Sequence, residues 1–147
     1  MKRIENKGTP RSHAVVWEQD ISSYEDIILA RQKVKSLMQG MGFSLLAQTR
    51  VITAVSELAR NIVIHAGGGG KMSVSEASRT DKRSGLKCIF EDSGPGIEDI
   101  EKAMQAGFST SNSLGLGLGG AKKLCNEFQI ESVSGKGTSI TIIEWLP

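Results

Sequence analysis

Glu57 and Asn61 stand four residues apart in the run Glu57-Leu58-Ala59-Arg60-Asn61. On a helix they project from one face, a turn apart. A carboxylate and an amide so placed could hold a magnesium ion, directly or through water, and activate a hydroxyl. A solvent-facing polar pair would show the same spacing. A second group is Asp92-Ser93-Gly94-Pro95-Gly96-Ile97, directly after an apolar run. Glycines on either side of a proline let the main chain come close to a flat ligand, and Asp92 offers an acceptor to the amino group of a buried base. A structural turn accounts for the glycines but not for the acid before them. The third group is Gly115-Leu116-Gly117-Leu118-Gly119-Gly120. Glycine-rich backbone opening a helix exposes unpaired N–H groups at the positive end of the dipole, a cradle for phosphate. A flexible linker is the alternative, weakened by the interleaved Leu116 and Leu118 and the amphipathic pattern that follows. The loop is neither a GxxxxGK[ST] phosphate loop nor a dinucleotide fingerprint, because no βαβ unit surrounds it.

These residues need elements to carry them. Residues 1–12 are polar, basic and aperiodic and read as a loose arm; residues 14–19 read as a first strand. Ser22-x-x-Glu25 has the form of a capping box, and Ile27, Ile28, Val34, Leu37 and Met38 follow at helical spacing until Gly40 and Gly42. From Ser44 to His65, the residues Val51, Ile52, Val55, Leu58, Ala59, Ile62 and Val63 recur every three or four positions, one apolar helix stripe. Gly67–Gly70 must break it. Residues 71–79 and 86–91 read as strands joined by the polar segment 80–85. Helical potential is weak over 97–113, and a helix is expected over 118–128. Residues 129–134 and 138–146 make a hairpin turned at Gly135-Lys136-Gly137. This order predicts an α+β domain spanning 1–147, with helices on one face of a mixed or antiparallel sheet.

Composition narrows the functional classes. A net charge of +2 with basic residues interleaved among acids gives no electrostatic footprint for nucleic acid. No apolar stretch approaches the ~20 residues that span a bilayer, and no signal peptide opens the chain, so a cytoplasmic protein is expected. Cys88 and Cys125 are too few and too far apart for a zinc framework and read as reduced, buried thiols.

In this order the three groups resemble the N-box, G1 and G2 boxes of the GHKL ATPase/kinase superfamily, that of gyrase, Hsp90, histidine kinases and MutL. The resemblance covers residues 44–143 and includes the Gly-Lys-Gly-Thr turn into the last strand. It lies closest to the anti-sigma-factor serine kinase branch and its stressosome switch kinases. It implies the Bergerat fold, a two-layer α/β sandwich with a mixed, mostly antiparallel sheet. It implies ATP and Mg2+ as ligands. Glu57 would be the base accepting a serine or threonine proton, and Asn61 would coordinate the metal. Asp92 would bind adenine, with Thr138 supporting it through a water. Gly94, Gly96 and Ile97 would pass the base, while Gly115, Leu116, Gly117, Leu118 and Gly119 would approach the phosphates. Residues 98–114 would be a lid over the nucleotide. The implied partners are STAS-domain antagonist and scaffold proteins as substrates and a PP2C-type phosphatase as activation target. The glutamate four before Asn61, and the lack of a phospho-accepting histidine module, depart from the histidine-kinase branch. His65 reads as structural and Arg60 as a surface or partner contact. Among Lys102, Lys122 and Lys123 the sequence does not choose a γ-phosphate ligand.

Overall fold

The computed structural model describes residues 2–5, 14–81, 83–105 and 117–147. In chain order these form β1 (Lys2–Glu5), β2 (Val15–Ile21), α1 (Tyr24–Met41), α2 (Leu45–His65), β3 (Gly70–Ser78), β4 (Ser84–Asp92), α3 (Ile100–Ala103), α4 (Gly117–Leu124), β5 (Glu127–Val133) and β6 (Gly137–Trp145). The strands make one six-stranded sheet in the order β1-β5-β6-β4-β3-β2. Every neighbouring pair is antiparallel, so of the mixed and antiparallel sheets left open by the sequence the fold is the antiparallel one.

The α2 stripe is the spine of the core. Val51, Val55, Leu58, Ala59 and Ile62 are buried, and Ile52 and Val63 pack against them. They meet Met72, Val74, Phe90 and Ile142 from the sheet. Each full burial of such a side chain contributes about 1.5–3 kcal/mol, enough to fix which face of α2 is left for polar work. Successive residues of β6 point to opposite faces. Ile140 and Ile142 join the main core, whereas Ile143 and Trp145 form a smaller cluster with Ala77. Cys88 and Cys125 are free and buried, as expected, and burial pushes the Cys88 thiol up to about 12.

Several boundaries differ from the sequence reading. Lys2–Glu5, within the expected arm, pairs with β5 from Lys2↔Ser132 to Glu5↔Gln129. Residues 6–13 lie outside the described residues. The cap of α1 falls one residue later than Ser22-x-x-Glu25. Ser23 is the N-cap, and Asp26 Oδ2 accepts the Ser23 and Ser22 N–H groups at 3.1 and 2.9 Å. Geometry decides this, because the acid must stand at the third helical position to reach back. The helix runs past Gly40 and stops at Gly42, whose N–H returns to the carbonyls of Gln39 and Met38. The helix expected over 118–128 ends at Leu124, and Phe128 lies in β5. There Phe128, Ile130 and Ser132 are buried at strand period, which outweighs the helical spacing of Phe128 from Leu124. Of the weak helical segment 97–113, Ile100–Ala103 is helical and 106–113 lies outside the described residues.

The Asp26 carboxyl is held below the ordinary aspartate value, chiefly by the Ser22 N–H, with Ser23 adding to it. A depressed carboxyl contributes stability that is complete above its unfolded value and is lost as pH falls through its folded value. Asp26→Ala should therefore narrow the stability gap between neutral and acid pH. Urea midpoints at pH 7 and pH 3 test this, and an unchanged gap would remove Asp26 from the acid response.

Candidate active site

Asp92 ends β4 where four chain segments meet at backbone distance. A Cβ on Gly70 would lie 2.3 Å from the Glu91 carbonyl oxygen and 3.0 Å from Ile62 Cγ2. One on Gly94 would lie 2.8 Å from Ala66 Cα, at the end of α2. One on Gly137 would lie 2.1 Å from the Asp92 carbonyl oxygen. The absence of side chains at these positions draws the end of α2, the start of β3 and the start of β6 around one carboxylate.

The Asp92–Ile97 turn is also tied to the β5–β6 hairpin. The Gly135 N–H donates to the Pro95 carbonyl at 2.7 Å, and the Ile97 N–H donates to Ser132 Oγ at 2.8 Å. Ser132 is 2% exposed, and its hydroxyl also lies 2.9 Å from Thr138 Oγ1 and 3.2 Å from the Gly137 carbonyl. Thr138 is the register partner of Asp92 across β4 and β6. Gly96 has a φ of 74°, and a Cβ there would come within 2.4 Å of the Val133 carbonyl. Ser132 was missed in the sequence. Its signal was a hydroxyl at the inward phase of the strand set by Phe128 and Ile130, where an apolar residue is expected.

Asp92 Oδ1 accepts the Gly94 N–H at 2.9 Å, and Oδ2 has no partner among the described residues. Glu57 and Asn61 are half-buried on α2, and their side chains likewise make no hydrogen bond or ion pair among the described residues. Arg60 sits between them with Nε buried and unpartnered. His65 is exposed in the last turn of α2, the end of a helix that favours a cation. Ile62, the neighbour of Asn61, touches the Gly70 position beside Asp92, so the part of α2 that bears Asn61 lies close to the Asp92 end of the sheet. A cleft of about 430 Å3 opens beside this turn, lined by Asp20, Ser22, Gly69 and Ser93 among others, but neither Glu57 nor Asn61 lines it.

The third group is seen in part. Gly115 and Leu116 lie outside the described residues. Gly117 and Gly119 fall in the first turn of α4, and the Leu118 side chain is buried in the core. A Cβ on Gly119 would lie 2.0 Å from the Met104 carbonyl oxygen, so close packing of α4 on the end of α3 itself requires glycine there. Lys122 and Lys123 stand in the last turn of α4, away from its glycine end, and Lys102 in the last turn of α3.

Gly96→Ala and Gly135→Ala separate close packing from backbone conformation. Both glycines are left-handed, but a Cβ on Gly135 meets nothing within 4 Å. Gly135→Ala should cost only the conformational penalty, about 1–2 kcal/mol. Gly96→Ala must also displace the Val133 carbonyl and should cost clearly more. Urea unfolding of the two variants checks the order, and equal losses would remove the steric account of the turn.

A family described as histidine kinase-, DNA gyrase B- and HSP90-like ATPases matches residues 46–147. The chain is 49% identical to the serine/threonine-protein kinase RsbT of Bacillus subtilis over 121 residues, 82% of this chain and 90% of that protein. It is 36% identical to an anti-sigma F factor of Thermoanaerobacter over 64% of this chain and 67% of that protein. It is 32% identical to that of Clostridium kluyveri over 82% and 86%. Among solved structures, the RsbU and RsbW domains of a Mycobacterium tuberculosis protein align at a TM-score of 0.57 and 17% identity, over 90% of this chain and 34% of that one. The SiaB–SiaC complex of Pseudomonas aeruginosa aligns at 0.54 and 10% identity, over 90% and 91%. At those identities the structures speak for the fold alone. With the turn around Asp92 and the Glu57–Asn61 pair in place, the chain belongs to the histidine kinase-, DNA gyrase B- and HSP90-like ATPase family, beside its serine/threonine-protein kinases and anti-sigma factors.

Proposed function

We infer that this chain is an ATP-dependent protein serine/threonine kinase that works by partner switching. The observation that carries this reading is the trio of Glu57, Asn61 and Asp92. The polar atoms of all three are left unsatisfied, in whole or in part, among the described residues of a fold shared with a named kinase. The free Asp92 oxygen accepts the amino hydrogen of adenine, Thr138 supports it through a water, and the Gly94–Gly96 backbone and Ile97 pass the flat base. Gly115, Leu116, Gly117, Leu118 and Gly119 bring main-chain N–H groups toward the phosphates at the head of α4. Residues 98–114 act as the lid.

The residues present fit magnesium. Asn61 offers a hard amide oxygen with no internal partner among the described residues. A site with few protein ligands, completed by phosphate and water oxygens, is the usual one for this ion. Bound there, it would supply charge neutralisation. Glu57 takes the proton from the acceptor hydroxyl as that oxygen bonds to the γ-phosphorus. The bond from phosphorus to the β–γ bridging oxygen breaks, and ADP leaves with the electron pair. Placement and charge carry most of the rate in such a transfer.

The substrates in this reading are small STAS-domain antagonist and scaffold proteins, and the released kinase activates a PP2C-type phosphatase. A second reading, an anti-sigma factor that binds a sigma subunit and phosphorylates its antagonist, is favoured by the relatives that carry that name. Co-purification with a sigma subunit distinguishes it.

Transfer from γ-labelled ATP with magnesium to a purified STAS-domain protein tests the reading. Glu57→Ala should lower transfer by about 10²–10⁴-fold with ATP binding largely retained. Asn61→Ala should abolish transfer and weaken magnesium-dependent binding. Tight ATP binding by the wild type without transfer would leave a nucleotide-gated docking module instead.

A further inference from the structure

Away from the Asp92 turn, a charged cluster built on the buried Glu144 and the half-buried Arg50 fastens α2 to the far end of α4. Glu144 of β6 is 3% exposed, and its Oε2 accepts Arg50 Nη2 at 2.7 Å. Arg50 Nη1 donates to the carbonyl of Leu124, the last residue of α4, at 2.9 Å. Glu144 Oε1 accepts the Asn126 N–H at 2.9 Å, just after that helix end. One guanidinium on α2 thus joins a carbonyl of α4 and a carboxylate of β6, three elements that are remote in sequence. Its planar fork holds two acceptors at once from separate nitrogens in a fixed geometry, which the single nitrogen of an ammonium does not provide. A cation at the carbonyl end of α4 also opposes the helix dipole favourably.

Position along the two helices gives this cluster a functional meaning. Arg50, Glu57 and Asn61 are seven and then four residues apart, one stripe on α2. At the helical rise, Glu57 and Asn61 stand roughly 10 and 16 Å beyond Arg50, and Gly117 stands roughly 10 Å before Leu124 along α4. The two helices pack against each other. The clamp at one end of the pair therefore sets how the glycine end of α4 stands against the stripe that bears Glu57 and Asn61.

We propose that Arg50 is a positioning residue for phosphoryl transfer, acting through Glu144 and the Leu124 carbonyl to hold α4 in register with α2. The proposal rests on the kinase reading above. It assigns Arg50 no contact with nucleotide or acceptor. The adenine end, built on Asp92 and the β5–β6 hairpin, is fastened by other bonds and should not feel its loss.

The test compares wild type, Arg50→Lys, Glu144→Gln and a core control, Val34→Ala, whose buried side chain lies on α1 and takes no part in the clamp's hydrogen bonds. Thermal unfolding ranks their stabilities. ATP affinity, the maximal transfer rate to a STAS-domain protein, and hydrogen exchange of residues 118–124 with and without ATP are then measured. Arg50→Lys and Glu144→Gln should keep ATP affinity within about threefold while the maximal rate falls roughly 10- to 100-fold, the scale of a small misplacement. Both should speed exchange in α4. Val34→Ala should keep the rate and the α4 exchange of the wild type. A clamp variant with wild-type rate and exchange would overturn the proposal, as would an equal loss of rate in Val34→Ala at matched stability. A wild type that binds ATP but transfers nothing sinks the kinase reading instead, and ATP-dependent exchange in α4 still decides whether the clamp sets that helix.

Discussion

Around Asp92, main chains stand closer together than a β-carbon permits. Gly70, Gly94 and Gly137 each face another backbone at less than 3 Å from where their Cβ would be, and Gly96 does the same against Val133. Packed interiors relieve such overlaps only by moving the chain. The end of α2, the edge of β3, the Asp92–Ile97 turn and the β5–β6 hairpin therefore share one tolerance. If one of them moves, Asp92 moves relative to Asn61. Much of the site follows from this steric constraint, with hydrogen bonds to Ser132 and Gly135 holding what the glycines allow.

A second level of order comes from polar groups buried on purpose. Ser132 and Glu144 both occupy inward positions of strands that are otherwise apolar, and both are fully engaged. A buried polar group that lost its partner would cost about 1–3 kcal/mol, and more if charged. Such groups therefore tolerate only one arrangement of their neighbours. Ser132 specifies the turn over β5, and Glu144 specifies the seat of α4. Three polar side chains of α2 are the opposite case. Glu57, Arg60 and Asn61 spend none of their hydrogen-bonding capacity inside the described fold. Their hydrogen-bonding groups are open to a ligand in the kinase reading, in contrast to the engaged Ser132 and Glu144.

The sheet explains why these two arrangements sit at opposite ends of one helix. β4 and β6 run antiparallel from Gly85↔Trp145 to Asp92↔Thr138. Asp92 thus lies at one end of the pair, and Glu144 at the other. α2 crosses this layer with Arg50 near the Glu144 end and Asn61 near the Asp92 end. The hydrogen bonds that hold the Asp92 turn and those that hold the Arg50–Glu144 cluster have no residue in common.

The sequence determined the parts that depend on local periodicity and residue chemistry. The α2 stripe, the strand–turn at Asp92, the last hairpin and the pairing of Glu57 with Asn61 on one helix face were legible because each repeats within a few residues. Tertiary structure decided what depends on distant neighbours. Lys2–Glu5 reads as a polar arm and becomes a strand because β5 offers it an unpaired edge. Phe128 fits a helical spacing but is drawn into β5 by the core it fills. Gly119 reads as a phosphate-loop glycine, and its close approach to Met104 is visible only once α3 and α4 pack. Ser132 shows only a hydroxyl at an inward strand phase, and nothing local names the partners of Arg50, Ser132 or Glu144, since these lie tens of residues away or across the sheet. Local sequence names the groups that can do chemistry, and long-range packing decides how far apart they stand.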